Sequence, residues 1–160
     1  MNHIVLSLGS NIGNRHANLD EARTSLENKG ISIIKASALY ESEPVGFTDQ
    51  DEFLNQVLLV DTQQNPLEVL ESCLSVERHM GRIRTVKNGP RNIDIDLLFY
   101  HDEILSEDTL LLPHPRIEER RFLLEPLAEL IPDQIHPVLG ETMQEMLQKC
   151  PDEHLVVRSA

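Results

Sequence analysis

Two aspartates, Asp94 and Asp96, interrupt an apolar segment that directly follows a basic stretch containing glycine. Successive side chains of a strand point to opposite faces, so both carboxylates are expected on one face, with their Cα atoms about 6.6 Å apart. Carboxylates placed like this repel each other unless a cation binds them, and hard oxygen ligands suit Mg²⁺. Two ions about 3.5–4 Å apart can be shared by such a pair. The spacing therefore predicts a Mg²⁺ site, and the alternative is a solvent-facing strand on which acids are harmless.

The basic stretch itself, residues 78–91, carries five Lys or Arg residues and no acid, whereas the whole chain has a net charge of −13. Arginine binds phosphate oxygens through two parallel hydrogen bonds, so Arg82, Arg84 and Arg91 are candidates for holding a polyphosphate. A solvated loop without a ligand is the alternative. A local basic patch on an acidic protein suits a small polyphosphate and disfavours nucleic acid or an anionic membrane as partner.

Aromatic and polar side chains elsewhere predict a second part of the same site. A flat heterocycle needs aromatic faces, and Phe53 and Phe122 are two of only four phenylalanines. Asn55 lies on the same predicted strand face as Phe53, where its amide can both donate to and accept from a ring edge. His114 stands between two prolines that fix its backbone, so it is a candidate for binding phosphate or carrying a proton. Core packing for each phenylalanine and an ordinary turn for the histidine are the alternatives.

The elements that must position these residues follow from hydrophobic periodicity. The predicted elements are strands over 3–9, 31–40, 53–62 and 93–100, with helices over 16–28 and from 65 onward. This order predicts an α+β fold with a ferredoxin-like βαββαβ core, in which a four-stranded antiparallel sheet carries two helices on a single face. A C-terminal helical and loop extension follows, with helices over 116–130, broken or kinked at Pro126, and over 141–149. The long connections 41–52 and 81–92 are predicted lids.

Length and cysteine content predict the setting of this fold. A chain of 160 residues, 40% of them hydrophobic, is enough for one packed core. Cys73 and Cys150 are too few for a disulfide framework and lack C-x-x-C spacing. No apolar run approaches the roughly 20 residues needed to cross a bilayer. We therefore expect one cytoplasmic domain, residues 1–160, that binds neither nucleic acid nor membrane.

Taken in order, several motifs resemble the 6-hydroxymethyl-7,8-dihydropterin pyrophosphokinase family. The resemblance runs from about residue 6 to residue 130, and its most specific part is the segment 87–98, KNGPRNIDIDLL. The other matching segments are 6–11, 40–46, 53–55, 81–84 and 113–116. The resemblance implies a ferredoxin-like fold and transfer of the β,γ-pyrophosphoryl group of ATP to the hydroxymethyl oxygen of the pterin, releasing AMP, in folate biosynthesis. It also implies small-molecule substrates, ATP as co-substrate, and a monomer.

The resemblance further implies a role for each matching residue. Asp94 and Asp96 would bind two Mg²⁺ ions, and Arg82 and Arg91 would contact the transferring phosphates. The implied ATP-binding residues are Arg84, Arg91, His114 and Arg120. The implied pterin-binding residues are Ser42, Glu43, Val45, Phe53, Asn55 and Phe122. Glu77 matches a recurring family position without a chemical role that we can assign.

Two departures and two rival functions stand beside this interpretation. Asn88 replaces a tryptophan usual in the family, and Thr109 stands where a basic residue is common, so pterin and nucleotide contacts are expected to differ. A regulatory ligand-binding module leaves the two aspartates and three loop arginines without a role. A metal-dependent nuclease or RNA-binding domain is disfavoured by the charge of −13. The tail from Pro132 onward is too weakly patterned to predict a role.

Overall fold

The computed structural model describes residues 2–45, 49–81 and 91–159. The first half of the chain gives β1 (Ile4–Ser10), α1 (Arg15–Asn28), β2 (Ser32–Ala36), β3 (Tyr40–Ser42), β4 (Phe53–Asp61) and α2 (Pro66–His79). The second half gives β5 (Asp94–Tyr100), β6 (Leu105–Ser106), β7 (Leu111–Leu112), α3 (Arg121–Leu130), α4 (Met143–Lys149) and β8 (Val156–Arg158). Among these described residues, no helix is long and apolar enough to span a membrane.

Within the described residues, six strands form one antiparallel sheet, in the order β5, β1, β4, β3 and β8, with β2 also paired to β4. The α+β class is confirmed, but the predicted four-stranded sheet is wrong. The predicted strand over 31–40 divides because Ser37 leaves the ladder: it donates its N–H to the Val57 carbonyl at 2.9 Å and accepts the Val57 N–H at its hydroxyl at 3.0 Å. β2 and β3 then pair with different halves of β4, and β8 adds the sixth strand.

The two faces of this sheet pack against different helices. Leu6 and Leu8 of β1 belong to one core with α1 and α2, as the sequence predicted. Val5, on the opposite face, belongs to a second core with α3 and α4. Ser7 and Gly9 continue that second face but line an open cavity instead of a helix contact. The C-terminal extension therefore covers part of one sheet face and leaves the rest accessible to a ligand.

Helix ends are fixed mostly as their sequences predict. Asn14 accepts the Ala17 N–H at 3.0 Å at the start of α1, and Asn65 forms a reciprocal capping box at the start of α2. The predicted break at Pro126 is wrong: the helix predicted over 116–130 is interrupted at Arg120, where the backbone is extended, and Pro126 lies inside α3. The Arg120 carbonyl accepts N–H groups of α3, so a new helix begins there. This start places the beginning of α3 at the cavity.

The packing of α3 on the sheet predicts a large cost for truncating Leu124, a fully buried member of the second core. We expect Leu124→Ala to lower the free energy of unfolding by about 2–5 kcal/mol, because it removes buried methyl groups and leaves a cavity. Urea denaturation followed by circular dichroism measures this difference. Leu67→Ala, at a side chain that is 47% exposed, is the control, and an equal loss in both variants would contradict this account of the core.

Candidate functional site

Strand register brings the predicted site residues together on one sheet face. Gly9 of β1 lies opposite Asp94 of β5 on one side and Asn55 of β4 on the other. Ser7, two residues earlier, lies opposite Asp96. Side chains two residues apart share a face, so the two aspartates and Asn55 face the same cavity. The cavity is lined by Ser7, Leu8, Gly9, Ser42, Glu43, Val45, Phe53, Asn55, Gln56, Val57, Arg91, Asp94, Asp96, Arg116, Glu119, Arg120, Phe122 and Leu123.

The apolar neighbours of the aspartates confirm the predicted alternation in β5. Ile93, Ile95 and Leu97 are buried in the core that faces α1 and α2. Asp94 and Asp96 therefore project from the opposite side of the strand and are only partly buried. A bulge near Val5 inserts an extra residue into β5, so the strict alternation stops after Leu97. The two carboxylates lie before this irregularity and keep a common face.

Arg91 joins the carboxylate part of the site to the aromatic part. Its guanidinium donates from Nη1 to Oδ2 of Asp94 at 2.8 Å. Its Cζ lies 5.4 Å from the ring centroid of Phe53, within the range of a cation–π contact. Both partners of the ion pair are about one-fifth exposed, so water screens the pair less than it screens a surface pair. The arrangement places a positive charge between an aromatic face and a carboxylate.

Asn11, which the sequence analysis did not single out, holds Arg91 in place. The Asn11 carboxamide oxygen accepts the Arg91 N–H at 2.8 Å, and the Asn11 N–H donates to the Arg91 carbonyl at 2.9 Å. The Asn11 carboxamide nitrogen donates to Oε1 of Gln50 at 2.8 Å and to the carbonyl of Asp51 at 3.0 Å. Asn11 is only 4% exposed. One buried amide therefore ties the ends of both long connections to the end of β1.

The wall opposite the aspartates is organised around Asn55. Its carboxamide nitrogen donates to the Ser42 hydroxyl at 2.7 Å and lies 3.4 Å from the Tyr40 carbonyl. A carbonyl can only accept, so this contact fixes the orientation of the amide. The Asn55 oxygen then lies above Gly9, where an added Cβ would approach it to 3.3 Å. Gly9 leaves this oxygen accessible from the cavity, and the oxygen can accept a hydrogen bond from the edge of a ring.

The second aromatic wall comes from the start of α3. Phe122 lines the cavity, and the guanidinium carbon of Arg120 lies 5.9 Å from its ring centroid. Phe53 lies on the other side of the site with Arg91. The predicted pterin-binding residues Ser42, Glu43, Val45, Phe53, Asn55 and Phe122 therefore all line one cavity. An arginine guanidinium lies near each of the two rings.

His114 is half-buried and does not line the cavity. Burial lowers the pKa of the imidazole below its usual range, and the positive charge of Arg120 lowers it further. The backbone of Pro115 partly opposes this shift. In the described part of the chain, its Nδ1 atom is buried without a hydrogen bond of acceptable geometry. The lowered pKa favours the neutral imidazole, next to the arginine that borders the site.

Glu77 acquires a structural role that its sequence position did not reveal. It lies on α2, is 4% exposed, and its Oε2 accepts the Ile95 N–H at 2.8 Å. Ile95 is the residue between Asp94 and Asp96, on the edge strand of the sheet. Glu77 therefore fixes the backbone that carries both aspartates.

Several other predicted positions lie apart from the cavity or outside the described ranges. Arg82, Arg84 and Asn88 lie outside the described residues. Thr109 is exposed and does not line the cavity. Arg116, in the matching segment 113–116, and Glu119, which the sequence did not single out, also line it. Arg116 has a left-handed backbone with φ of 72°, so it turns the chain directly before the short 3-10 helix Ile117–Glu119 that precedes α3. Neither the charge of Arg116 nor its position after a proline identifies it as a cavity residue from the sequence alone.

Similarity to known proteins covers most of this chain. Residues 5–132 match the family model for 7,8-dihydro-6-hydroxymethylpterin-pyrophosphokinase (HPPK). The chain belongs to the HPPK family. A 2-amino-4-hydroxy-6-hydroxymethyldihydropteridine pyrophosphokinase of Methylorubrum extorquens is 45% identical over 150 residues, which are 93% of this chain and 94% of that relative. The protein of the same description from Bacillus subtilis is 42% identical over 81% of this chain and 79% of its own length.

Other HPPK relatives are much longer than this chain. The folic acid synthesis protein fol1 of Schizosaccharomyces pombe is 40% identical over 97% of the chain, which spans only 21% of that protein. The wild-type HPPK-DHPS of Plasmodium falciparum superposes with a TM-score of 0.71 at 18% identity, over 92% of this chain and 44% of that one. That structural similarity shows the fold of the HPPK part alone.

The contacts of Asn11 predict that its amide is needed for both stability and the shape of the HPPK site. We expect Asn11→Ala to destabilise the fold by about 1–3 kcal/mol, because buried backbone partners lose their hydrogen bonds. Arg91 also loses the side chain that fixes its backbone. We therefore expect turnover to fall even at a temperature where the variant is fully folded. Asn28→Ala, at an exposed position, serves as the control. Thermal unfolding and steady-state rates at a temperature where both variants are folded measure the two effects, and full activity of Asn11→Ala would contradict the anchoring role.

Proposed function

We propose that this chain transfers the β,γ-pyrophosphoryl group of ATP to 6-hydroxymethyl-7,8-dihydropterin, giving the pterin diphosphate and AMP for folate biosynthesis. The single observation that carries the proposal is one cavity holding both parts of the chemistry in a member of the HPPK family. The part with Arg91, Asp94 and Asp96 suits a polyphosphate, and the part with two aromatic faces and Asn55 suits a heterocycle. The whole chain, residues 1–160, then acts as one pyrophosphokinase domain.

The pterin fits between Phe53 and Phe122 as an amphipathic ring between two aromatic faces. The Asn55 oxygen, held above Gly9, accepts a ring N–H, and Ser42, Glu43 and Val45 border the same edge. Stacking excludes water from both ring faces, while the fixed amide selects an edge that donates a hydrogen bond at that point. This pairing favours a pterin over a purely apolar ring, because an apolar edge would leave the buried amide unsatisfied.

Asp94 and Asp96 fit Mg²⁺ as two oxygen donors on one strand face. No cluster of three or more His, Cys, Asp or Glu side chains suited to a metal occurs among the residues described. The remaining ligands would then be polyphosphate oxygens and water, which is the usual way in which Mg²⁺ is bound with few carboxylates. When bound there, two Mg²⁺ ions would neutralise charge on the transferring phosphates. The two carboxylates would thus supply only part of the Mg²⁺ ligands, and the bound polyphosphate and water would supply the rest.

The reaction needs positioning and charge neutralisation more than an activated protein nucleophile. The hydroxymethyl oxygen forms a bond to the β-phosphorus, the bond from that phosphorus to the α,β-bridging oxygen breaks, and AMP leaves while the hydroxyl proton is lost. Arg91 and Arg120 border the cavity and neutralise developing negative charge on the phosphates. Arg82 and Arg84 are expected to contribute further contacts on the basis of the family resemblance, and His114 is expected to contact ATP on the same basis.

The direct test is a turnover assay with ATP, 6-hydroxymethyl-7,8-dihydropterin and Mg²⁺ that separates AMP from ADP. We expect AMP in a one-to-one ratio with pterin diphosphate, and no AMP when pterin is omitted or the metal is chelated. ADP as the product would replace this proposal with ordinary phosphoryl transfer. Bound ATP or pterin without any nucleotide product would replace it with a regulatory ligand-binding module.

The carboxylate role predicts that Asp96→Ala loses turnover while keeping its fold. Removing one of two metal donors should lower kcat/KM at least about a hundredfold, because charge on the transferring group is no longer neutralised. Asp108→Ala, at an exposed acid outside the cavity, is the matched control. Steady-state kinetics over a range of Mg²⁺ concentrations and a thermal unfolding curve provide the measurement. Wild-type turnover by Asp96→Ala at limiting Mg²⁺ would remove the metal assignment.

A further inference from the structure

The C-terminal segment, for which the sequence predicts no role, joins the sheet beside the pterin wall. In β8, Val156 lies opposite Ser42 of β3. Just before β8, the Leu155 carbonyl accepts the Glu43 N–H at 3.1 Å, and the Leu155 N–H donates to Oε1 of Glu43 at 2.6 Å. Ser42 and Glu43, which line the cavity, are therefore held in position by their pairing with the C-terminal segment.

The same segment is fastened at its other end to the start of α3. The Arg121 N–H donates to Oδ2 of Asp152 at 3.0 Å, and Nε of Arg121 donates to the Asp152 carbonyl at 2.9 Å. Oδ1 of Asp152 accepts the His154 N–H at 2.9 Å and contacts the His154 ring. The Asp152 side chain is 7% exposed. Arg121 stands between Arg120 and Phe122, which both line the cavity.

These contacts connect the two opposite walls of the cavity through one short piece of chain. One wall belongs to the sheet through Ser42 and Glu43, and the other belongs to α3 through Phe122. Their separation determines whether a planar ring can be enclosed from both sides, because stacking contacts weaken when a gap opens. A strap of fixed length that is hydrogen-bonded at both ends limits that separation.

We propose that residues 152–158 form a C-terminal clasp that sets the spacing of the two pterin walls, with Asp152 as its positioning residue. The inference rests on the proposed function, since it concerns the substrate part of that same site. Asp152 touches neither the cavity nor the reacting atoms; it acts through Arg121 and, along the clasp, through Glu43. It follows that the clasp controls pterin affinity and leaves the carboxylate side of the site unaffected.

Asp152 has the chemistry that this role requires. Burial favours the neutral acid, but hydrogen bonds from His154 and Arg121 outweigh burial and lower the pKa of the carboxyl below its usual range. The ionised group accepts at both oxygens, one toward α3 and one within the clasp. An asparagine in its place would accept at one oxygen only and would lose one of the two attachments.

The test compares pterin and nucleotide binding in the full-length Asp152→Ala variant. We expect the Kd of 6-hydroxymethyl-7,8-dihydropterin, measured by calorimetry with Mg²⁺ and α,β-methylene ATP present, to rise about 5- to 30-fold. The Kd of the nucleotide analogue and kcat at saturating pterin should change less than about twofold on the same argument. Asp152→Asn should give an intermediate pterin Kd, and Asp133→Ala, at an exposed aspartate outside the clasp and the cavity, should match the wild type.

Each result separates the clasp from the proposed function. An unchanged pterin Kd in folded Asp152→Ala overturns the clasp, and so does an equal loss of pterin and nucleotide affinity, which would show a general structural role. If Asp152→Ala does not fold, the pterin Kd of Asp152→Asn decides in the same way. Wild-type protein that binds the nucleotide but no pterin overturns the proposed function itself, and the clasp with it.

Discussion

Alternation of side chains in β1, β4 and residues 94–97 of β5 is the constraint on which the site depends. Each strand must bury apolar residues against α1 and α2 on one face while presenting chemistry on the other. Leu8 and Gly9 show the requirement in neighbouring residues: the leucine fills the core, and the glycine keeps the cavity floor clear. A slip of one residue in register would exchange the two faces and bury Asp94 among aliphatic side chains. Burying an unpaired carboxylate is costly, so the core that stabilises the sheet also specifies the position of the site.

Strands position the aspartates and Asn55, whereas hydrogen bonds across the chain position the connections between them. Asn11 holds the ends of both long connections at one point, and Glu77 holds the edge strand through Ile95. Both side chains are almost fully buried, so their bonds are made in surroundings where an unsatisfied partner is expensive. Buried polar side chains of this kind specify the arrangement of the chain ends around a site more than they add net stability.

Features governed by local sequence were predictable, and those governed by distant partners were not. The caps at Asn14 and Asn65 and the common face of Asp94 and Asp96 follow from spacing within a few residues, so periodicity and capping rules find them. The division of the strand over 31–40 depends on hydrogen bonds between Ser37 and Val57, 20 residues away. β8 is only three residues long, Val156–Arg158, and it becomes a strand because β3 offers an open edge. No local pattern contains that information.

The positions of the arginines explain how an acidic protein can accept a polyanion next to a neutral ring. The net charge of −13 repels extended polyanions, while Arg91, Arg116 and Arg120 offer cationic groups at the cavity beside the carboxylates that also line it. Two of these arginines also lie against the aromatic walls, at 5.4 Å from the Phe53 centroid and 5.9 Å from that of Phe122. A ring stacked between those walls is therefore next to the cations that attract phosphate. On the proposed function, the walls that bind the pterin therefore place it beside the groups that hold the polyphosphate.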